Sequence, residues 1–346
     1  MNRFSWASAG TISEAAAAAS ITVADAMTTI HGTTNGSETS VVKAGGIDLL
    51  DLLKENLLTP TKVVSLREIA ALEVVAEQAG GLRIGSMVTL ASLAADVVVR
   101  SRYPALTDAA QNSASPQIRN VATLGGNLLQ RPRCWYFRAA EYHCLRKGGK
   151  GGGHCFAISG ENQYHAIFDN QACAIVHPST VATVLVALGA RLELRDAGGE
   201  TRNILLEDFF VSPDQDLQRE NNLKPHEILT AILLPALPTS LRIAHLKQGE
   251  KDSFDWPLAD VAVALDLAGN GNFIRATVIL GAAAPVPHRA KTAESILIGK
   301  RVDEAVAREA ARAALIGATP LAKNAYKLPL FETLVRRAIL KAAIRS

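Results

Sequence analysis

Apolar residues along this chain follow two different periods, and the period changes several times between its ends. Spacings of three and four residues predict helices, because such positions share one helix face. These spacings occur over 47–58, 103–114, 302–317 and 331–344, and the alanine-rich composition of 13–30 predicts a further helix. Alternating or β-branched runs predict strands, because alternate side chains share one face of a sheet. Such runs occur over 40–43, 192–194, 201–205, 261–268 and 273–281, so the pattern predicts a mixed fold of helices and strands.

Two stretches depart from this pattern. Residues 212–225 are polar and end at a proline, which predicts a surface loop, and a domain boundary is expected near 235–240. After Asn127 the composition shifts to cysteines, aromatic residues and a glycine-rich run over 148–153. This second stretch reads as an insert that is unlike its surroundings.

Length and composition restrict the class of protein to which this chain can belong. The chain has 346 residues, 48% hydrophobic and 20% charged, which predicts a globular protein with two or three packed units. A formal net charge of +3 gives no argument for nucleic acid, which needs concentrated basic residues. No signal-peptide core or membrane-length apolar run appears, so a cytoplasmic protein is expected; periplasmic export riding on a partner subunit is the alternative.

All four cysteines lie in the insert, separated by nine, ten and seventeen residues; they are Cys134, Cys144, Cys155 and Cys173. Four thiolates fit either zinc or an iron-sulfur cluster, because both take soft ligands in a tetrahedral arrangement. Zinc ribbons bring their ligands in close pairs, which are absent here, whereas separate loops can reach the corners of a larger cluster. Two disulfides are a further alternative, and spacing alone leaves all three open.

Two glycine pairs each follow a short apolar or β-prone run. Gly45-Gly46 follows Lys43 and Ala44 and precedes a predicted helix, and Gly125-Gly126 follows Thr123. Neither pair fits the GxGxxG fingerprint of dinucleotide-binding proteins. Glycines between a strand and a helix leave backbone N–H groups free for a pyrophosphate, but either pair taken alone is more often a plain turn.

Several motifs taken together resemble one known family. The motifs are Lys43-Ala44-Gly45-Gly46-Ile47-Asp48-Leu49-Leu50, Ala122-Thr123-Leu124-Gly125-Gly126-Asn127-Leu128, His177-Pro178-Ser179 and Gly281-Ala282-Ala283-Ala284-Pro285. In order and spacing they resemble the FAD-binding subunit of the xanthine dehydrogenase and carbon monoxide dehydrogenase family, the molybdenum hydroxylases. The resemblance covers nearly the whole chain.

This resemblance implies an α+β fold. It has a two-lobed FAD-binding domain of the vanillyl alcohol oxidase/xanthine dehydrogenase type over 1–236, with a lobe boundary near 60–65, and a C-terminal α+β domain over 237–346. In the family both glycine loops contact FAD. Carried onto this sequence, the cofactor-binding residues are Lys43, Ala44, Gly45, Gly46, Ile47, Asp48, Leu49, Thr123, Gly125, Gly126, Asn127 and Lys247.

The segment after Asn127 points to a subgroup of that family. Most relatives continue with Ser-Pro and an Asp that touches the flavin, whereas this chain continues Gln130-Arg131-Pro132-Arg133-Cys134. Bacterial aldehyde oxidoreductase flavin subunits resemble it in carrying a cysteine insertion at this point, and there the insertion binds a four-iron, four-sulfur (4Fe-4S) cluster. The resemblance therefore implies an insertion over about 130–175 whose cluster ligands are Cys134, Cys144, Cys155 and Cys173.

The implied function is electron transfer without a catalytic residue on this chain. A partner subunit with a molybdenum cofactor oxidises an aldehyde, purine or other heterocycle, a small partner holds 2Fe-2S clusters, and FAD passes the electrons onward. Two rival interpretations are a zinc-stapled scaffold protein without redox function and a stand-alone FAD oxidase. The arginines near Cys134 are expected to surround the cluster or to contact a partner subunit, rather than nucleic acid.

Overall fold

The computed structural model describes residues 1–29, 39–148, 154–251, 254–269 and 271–344. The strands are β1 (Ser5–Ser8), β2 (Ser40–Lys43), β3 (Lys62–Ser65), β4 (Val75–Gln78), β5 (Gly81–Gly85), β6 (Arg191–Asp196), β7 (Thr201–Leu205), β8 (Glu227–Leu234), β9 (Leu241–Gln248), β10 (Ala259–Leu267), β11 (Phe273–Gly281) and β12 (His288–Arg289). The helices are α1 (Ile12–Ala18), α2 (Val23–Thr29), α3 (Ile47–Lys54), α4 (Leu90–Ala95), α5 (Val97–Arg102), α6 (Pro104–Gln111), α7 (Pro116–Arg119), α8 (Leu124–Leu128), α9 (Trp135–Arg138), α10 (Phe156–Ser159), α11 (Thr180–Ala187), α12 (Leu206–Phe209), α13 (Lys291–Leu297), α14 (Glu304–Ala313) and α15 (Lys327–Ala343). The chain forms two compact units, each built from several segments.

The first unit comprises residues 1–92, 116–156 and 190–234 and contains two sheets. One is a parallel sheet of three short strands in the order β1-β3-β2, with the carboxyl ends of all three at the same edge. The other is an antiparallel sheet of five strands in the order β4-β5-β8-β6-β7. Because α3 starts where β2 ends, the first glycine loop lies at the carboxyl edge of the parallel sheet.

The second unit comprises residues 93–115, 157–189 and 235–346 and contains the antiparallel sheet β12-β11-β10-β9. Val261, Val263 and Leu265 alternate along β10 and are fully buried, together with Phe331 and Ile339 of α15. Alternation along β10 thus sends one set of apolar side chains into a core with α13, α14 and α15.

Most elements predicted from periodicity are present, and two predicted helices are wrong in extent. The described part of the predicted helix 13–30 holds two helices rather than one, because the hydroxyl of Thr22 accepts from the backbone N–H of Asp25 and starts α2; Ile30 lies outside the described residues. The stretch 47–58 ends its helix at Lys54, and Asn56 follows in the left-handed region with φ 53°. Within the part of the chain that the structure describes, no helix combines the length and apolar character needed to cross a membrane.

Candidate functional site

The first glycine loop connects β2 to α3 through a very tight turn. Gly46 has φ +89°, and a Cβ added there would lie 2.5 Å from Cε of Lys43. A Cβ added at Gly45 would lie 2.1 Å from the carbonyl oxygen of Val121. Both positions therefore require glycine, the first for its backbone conformation and its space and the second for space alone.

A side-chain cap from Thr123 and a contact with Ser86 hold the second glycine loop in place. The hydroxyl of Thr123 accepts from the backbone N–H of Gly126 at 3.1 Å and caps α8. The backbone N–H of Gly125 donates to the carbonyl oxygen of Ser86 at 2.8 Å, and a Cβ at Gly125 would lie 2.8 Å from Cβ of Ser86. The cap and the packing against Ser86 fix the course of this loop.

The two loops meet, as the resemblance implies. Gly45 lies against Val121 and Ala122 just before the second loop, and the Cβ position of Gly126 is 3.8 Å from Cβ of Ala44. The predicted residues from Lys43 to Leu49 and from Thr123 to Asn127 thus lie at one place in the first unit. Their roles toward a cofactor stay predictions.

The surface formed by these loops fits an anionic dinucleotide. The start of α3 has no side-chain cap, so its first backbone N–H groups face outward from the helix end. Lys43 lies beside this turn, donates to the carbonyl oxygen of Ala44 and has its ammonium 5.6 Å from the ring centre of Trp6. Burial lowers the pKa of Lys43, and the nearby charge of Arg67 acts in the same direction. Small residues, uncapped N–H groups and positive charge together suit a pyrophosphate.

Asp48 connects its loop to the cysteine insert. Its carboxylate accepts from the backbone N–H of Arg131 at 2.8 Å, and it pairs with Arg133 at 2.9 Å and Arg138 at 2.6 Å. Asp51, one turn further along α3, pairs with Arg138 at 2.9 Å. The arginines expected around a cluster or at a subunit contact therefore form ion pairs within the chain, and these pairs connect α3 to the cysteine insert.

Lys247 belongs to the second unit, on β9. Its ammonium donates to the carbonyl oxygens of Asn112 and Asp255, each at 2.8 Å. Burial lowers the pKa of Lys247, while Asp260 and Asp255 act in the opposite direction. Its proposed contact with the cofactor remains a prediction.

Three cysteine-bearing segments of the insert converge. Cys134 precedes α9, Cys144 precedes a short 3-10 turn, and both thiols pack against the core that contains Leu49, Leu52 and Leu53 of α3. The rings of Tyr136, Tyr142 and Phe156, which are close in sequence to Cys134, Cys144 and Cys155, pack together with centroids 5.0 to 6.0 Å apart.

The thiols themselves are not gathered into a ligand set. Across the described residues, no group of three or more His, Cys, Asp or Glu side chains is arranged to hold a metal ion. Cys134 and Cys144 share Lys147 as a neighbour: burial lowers its pKa, and both thiols act in the opposite direction. Cys173 is buried in the second unit. The donor types fit an iron-sulfur cluster, and the sequence resemblance, rather than this geometry, groups all four.

Histidines of the insert region behave as ordinary structural residues. Burial lowers the pKa of His177 to about 3 and that of His165 to about 4, so both are neutral at pH 7. The backbone N–H of Ser179 donates to Nδ1 of His177, which fixes the neutral ring in the His-Pro-Ser turn. His143 and His154 are exposed.

Two residues at this site had no signal in the sequence. Ser86 supports Gly125 from a distant strand end, and nothing in its local sequence indicates this contact. Glu220 lies in the stretch predicted as a polar surface loop, yet it is 7% exposed and paired with Arg131 and Arg146. Both contacts join segments far apart along the chain.

Two known domain families together match almost the whole chain. The family described as FAD binding domain in molybdopterin dehydrogenase matches residues 2–237, and the CO dehydrogenase flavoprotein C-terminal domain matches residues 244–342. The chain belongs to this family. As a flavoprotein of the molybdenum hydroxylases it is an oxidoreductase subunit that binds FAD, and the resemblance inferred from the sequence is confirmed.

Individual relatives agree with this family and with the α+β fold. The chain is 33% identical over 300 residues, 86% of this chain and 90% of the relative, to the aldehyde oxidoreductase FAD-binding subunit PaoB of Escherichia coli (strain K12). It is 26% identical to the xanthine dehydrogenase FAD-binding subunit of Escherichia coli O157:H7, covering 86% of this chain and 87% of that one. Reconstituted CO dehydrogenase from Oligotropha carboxidovorans has the same fold, with a TM-score of 0.73, 22% identity and coverage of 100% and 99%.

Proposed function

We propose that this flavoprotein is the electron-transferring FAD subunit of an aldehyde-oxidising molybdenum hydroxylase and that it carries its own 4Fe-4S cluster. Its partners are a large subunit with the molybdenum cofactor and a small subunit with 2Fe-2S clusters. Bound FAD supplies the chemistry, because it takes up electrons one or two at a time and passes them to an external acceptor. This chain contributes binding, orientation and electrostatics.

The observation that carries the flavin assignment is the contact between the two glycine loops. Gly45 against Val121 and Gly126 near Ala44 form a floor without bulky side chains beside the uncapped start of α3. In the proposed complex the N–H groups of α3 and the ammonium of Lys43 bind the pyrophosphate. Aldehyde is favoured over other substrates because the relative at 33% identity is described as an aldehyde oxidoreductase subunit.

The cluster assignment is supported by the insert. Three cysteine segments converge through the rings of Tyr136, Tyr142 and Phe156, and the buried cations Arg146 and Lys147 lie in the same segment as Cys144. A cluster with four thiolate ligands is an anion, which buried cations stabilise. The proposed ligands are Cys134, Cys144, Cys155 and Cys173.

A spectrum and a metal analysis test both assignments on one anaerobic sample of the complex. We expect about one FAD and about four irons assignable to this chain, beyond those of the small subunit. Cys134→Ser should remove those irons and leave FAD in place. Zinc without flavin would establish the scaffold interpretation, and substrate oxidation by this chain without partners would establish the stand-alone oxidase. Turnover of a purine in preference to aldehydes would overturn the substrate assignment.

A further inference from the structure

One buried carboxylate holds both arginines that flank the first two cysteines of the insert. Arg131 lies three residues before Cys134, and Arg146 lies two residues after Cys144. Nε of Arg131 is 2.9 Å from one carboxylate oxygen of Glu220, and Nη1 of Arg146 is 2.6 Å from the other. The side chains of Arg131, Arg146 and Glu220 are 2%, 0% and 8% exposed, so this triad is cut off from solvent.

The backbone around Glu220 completes the arrangement. Arg131 also donates to the carbonyl oxygen of Gln218 at 2.9 Å, and Arg146 donates to that of Arg219 at 3.3 Å. A buried carboxylate that accepts from two guanidinium groups fixes their positions more rigidly than an exposed carboxylate does, because no water competes for the guanidinium N–H groups. The segment 218–220 therefore anchors the insert on each side of the stretch from Cys134 to Cys144.

The charges of this triad do not cancel. Arg131 and Arg146 bring two positive charges to the single negative charge of Glu220, whereas the buried Lys147 has the carboxylate of Glu141 as well as the thiols of Cys134 and Cys144 as neighbours. Excess positive charge in a low-dielectric interior is costly unless an anion is nearby. Thiolates at Cys134 and Cys144, or a cluster bound by them, carry the negative charge that stabilises these cations.

From these contacts we infer that Glu220 is a positioning residue for the cluster: through Arg131 and Arg146 it restricts the movement of the Cys134 and Cys144 segments and so stabilises the cluster once it is bound. This inference rests on the cluster assignment proposed above. Groups that orient metal ligands in this way change metal affinity by about 10- to 100-fold when removed.

Glu220→Gln tests the inference, because it keeps the size of the side chain and removes its charge. Glu227→Gln is a matched control: Glu227 is also a buried carboxylate of the first unit, 8% exposed, and it pairs at 2.8 Å with Arg202 rather than with an arginine of the insert. The intact complex of each variant is assayed for iron and FAD, and iron release to a chelator is followed by the loss of visible absorbance.

We expect Glu220→Gln to release the iron of this subunit about 10- to 100-fold faster than the wild type, with FAD content unchanged. Glu220→Asp, which restores the charge, should recover part of the loss, and Glu227→Gln should release iron at the wild-type rate. If Glu220→Gln does not fold, Arg146→Lys, which keeps the charge but loses the guanidinium fork, gives the same comparison.

Three outcomes distinguish an error in the positioning role of Glu220 from an error in the cluster assignment. Wild-type release rates in Glu220→Gln, or in Arg146→Lys where that variant stands in for it, would overturn the positioning role and leave the cluster assignment intact. Equal acceleration in Glu227→Gln would also overturn that role, because the effect would then come from general destabilisation. No iron on this subunit in the wild type would refute the cluster assignment itself.

Discussion

Gly45→Ala probes the contact between the two glycine loops most directly. Gly45 does not have a positive φ, so alanine fits its backbone conformation and the effect of the change is steric. The added methyl carbon would lie 2.1 Å from the carbonyl oxygen of Val121 and 3.3 Å from Cα of Ala122. Because carbon atoms pack at about 3.5–4.0 Å, the loops must separate by about 1 Å or more.

The magnitude follows from the cost of overpacking. Forcing an extra methyl into a packed site costs about 1–3 kcal/mol. If the whole cost falls on the cofactor-binding form, it weakens the affinity for FAD by about 5- to 150-fold. The melting temperature should fall too, because the same overlap strains the folded protein without FAD.

Titration of the FAD-free complex with FAD, followed by the change in flavin fluorescence, measures this affinity. Gly198→Ala is the control, since Gly198 lies in the β6–β7 turn and its nearest neighbour is Oδ1 of Asp196 at 3.4 Å, an ordinary contact. Wild-type affinity in Gly45→Ala would refute the reasoning that FAD binds where the loops meet. An equal loss in Gly198→Ala would show that the effect is not local.

Three further predictions concern stability. Thr123→Ala removes the cap of α8 and should lower the free energy of unfolding by about 1 kcal/mol in urea titrations, whereas Thr123→Ser should not. His177 and His165 have pKa values of about 3 and about 4 in the folded protein, so below pH 6.5 the unfolded chain binds more protons. The free energy of unfolding should therefore fall by about 2 kcal/mol for each histidine between pH 7 and pH 5; a flat profile would contradict their burial as neutral rings. Lys327→Met removes the ammonium donor from three carbonyl oxygens: those of Tyr164 and Ala282, and that of His165, which also accepts from the side chain of Asn324. It should cost about 3 kcal/mol or more in thermal or urea unfolding, and a loss below about 1 kcal/mol would refute this account.

Local features of the site could be predicted from the sequence because they are encoded locally. The Gly-Gly pair after Lys43 marks a turn that only glycine allows, and Thr123 three residues before Gly126 marks a helix cap. The strands 201–205 and 273–281 coincide with β7 and β11, since alternation reports directly on a half-buried sheet. Each of these signals lies within a few residues of the feature that it predicts.

Contacts between distant segments could not be predicted in this way. The family resemblance places Asp48 in the first glycine loop, and nothing near it in the sequence indicates that its carboxylate also contacts arginines more than eighty residues away. Glu220 was part of a polar stretch whose composition is that of a surface loop, and only the buried partners Arg131 and Arg146 reveal its place in the interior. Composition reports the average environment of a segment, whereas burial of one carboxylate is decided by its partners.

These ion pairs also bear on how the two proposed cofactor sites depend on each other. Helix α3 begins at the first glycine loop, and its side chains Asp48 and Asp51 hold Arg133 and Arg138 on either side of Cys134. A change in the position of α3 must therefore move the segment of Cys134, whereas loss of the Glu220 contacts leaves the pairs with Asp48 in place. The arrangement predicts an asymmetry: a change in the first glycine loop disturbs the insert, but loss of the contacts at Glu220 leaves the first glycine loop in place. The expected retention of FAD in Glu220→Gln rests on that asymmetry.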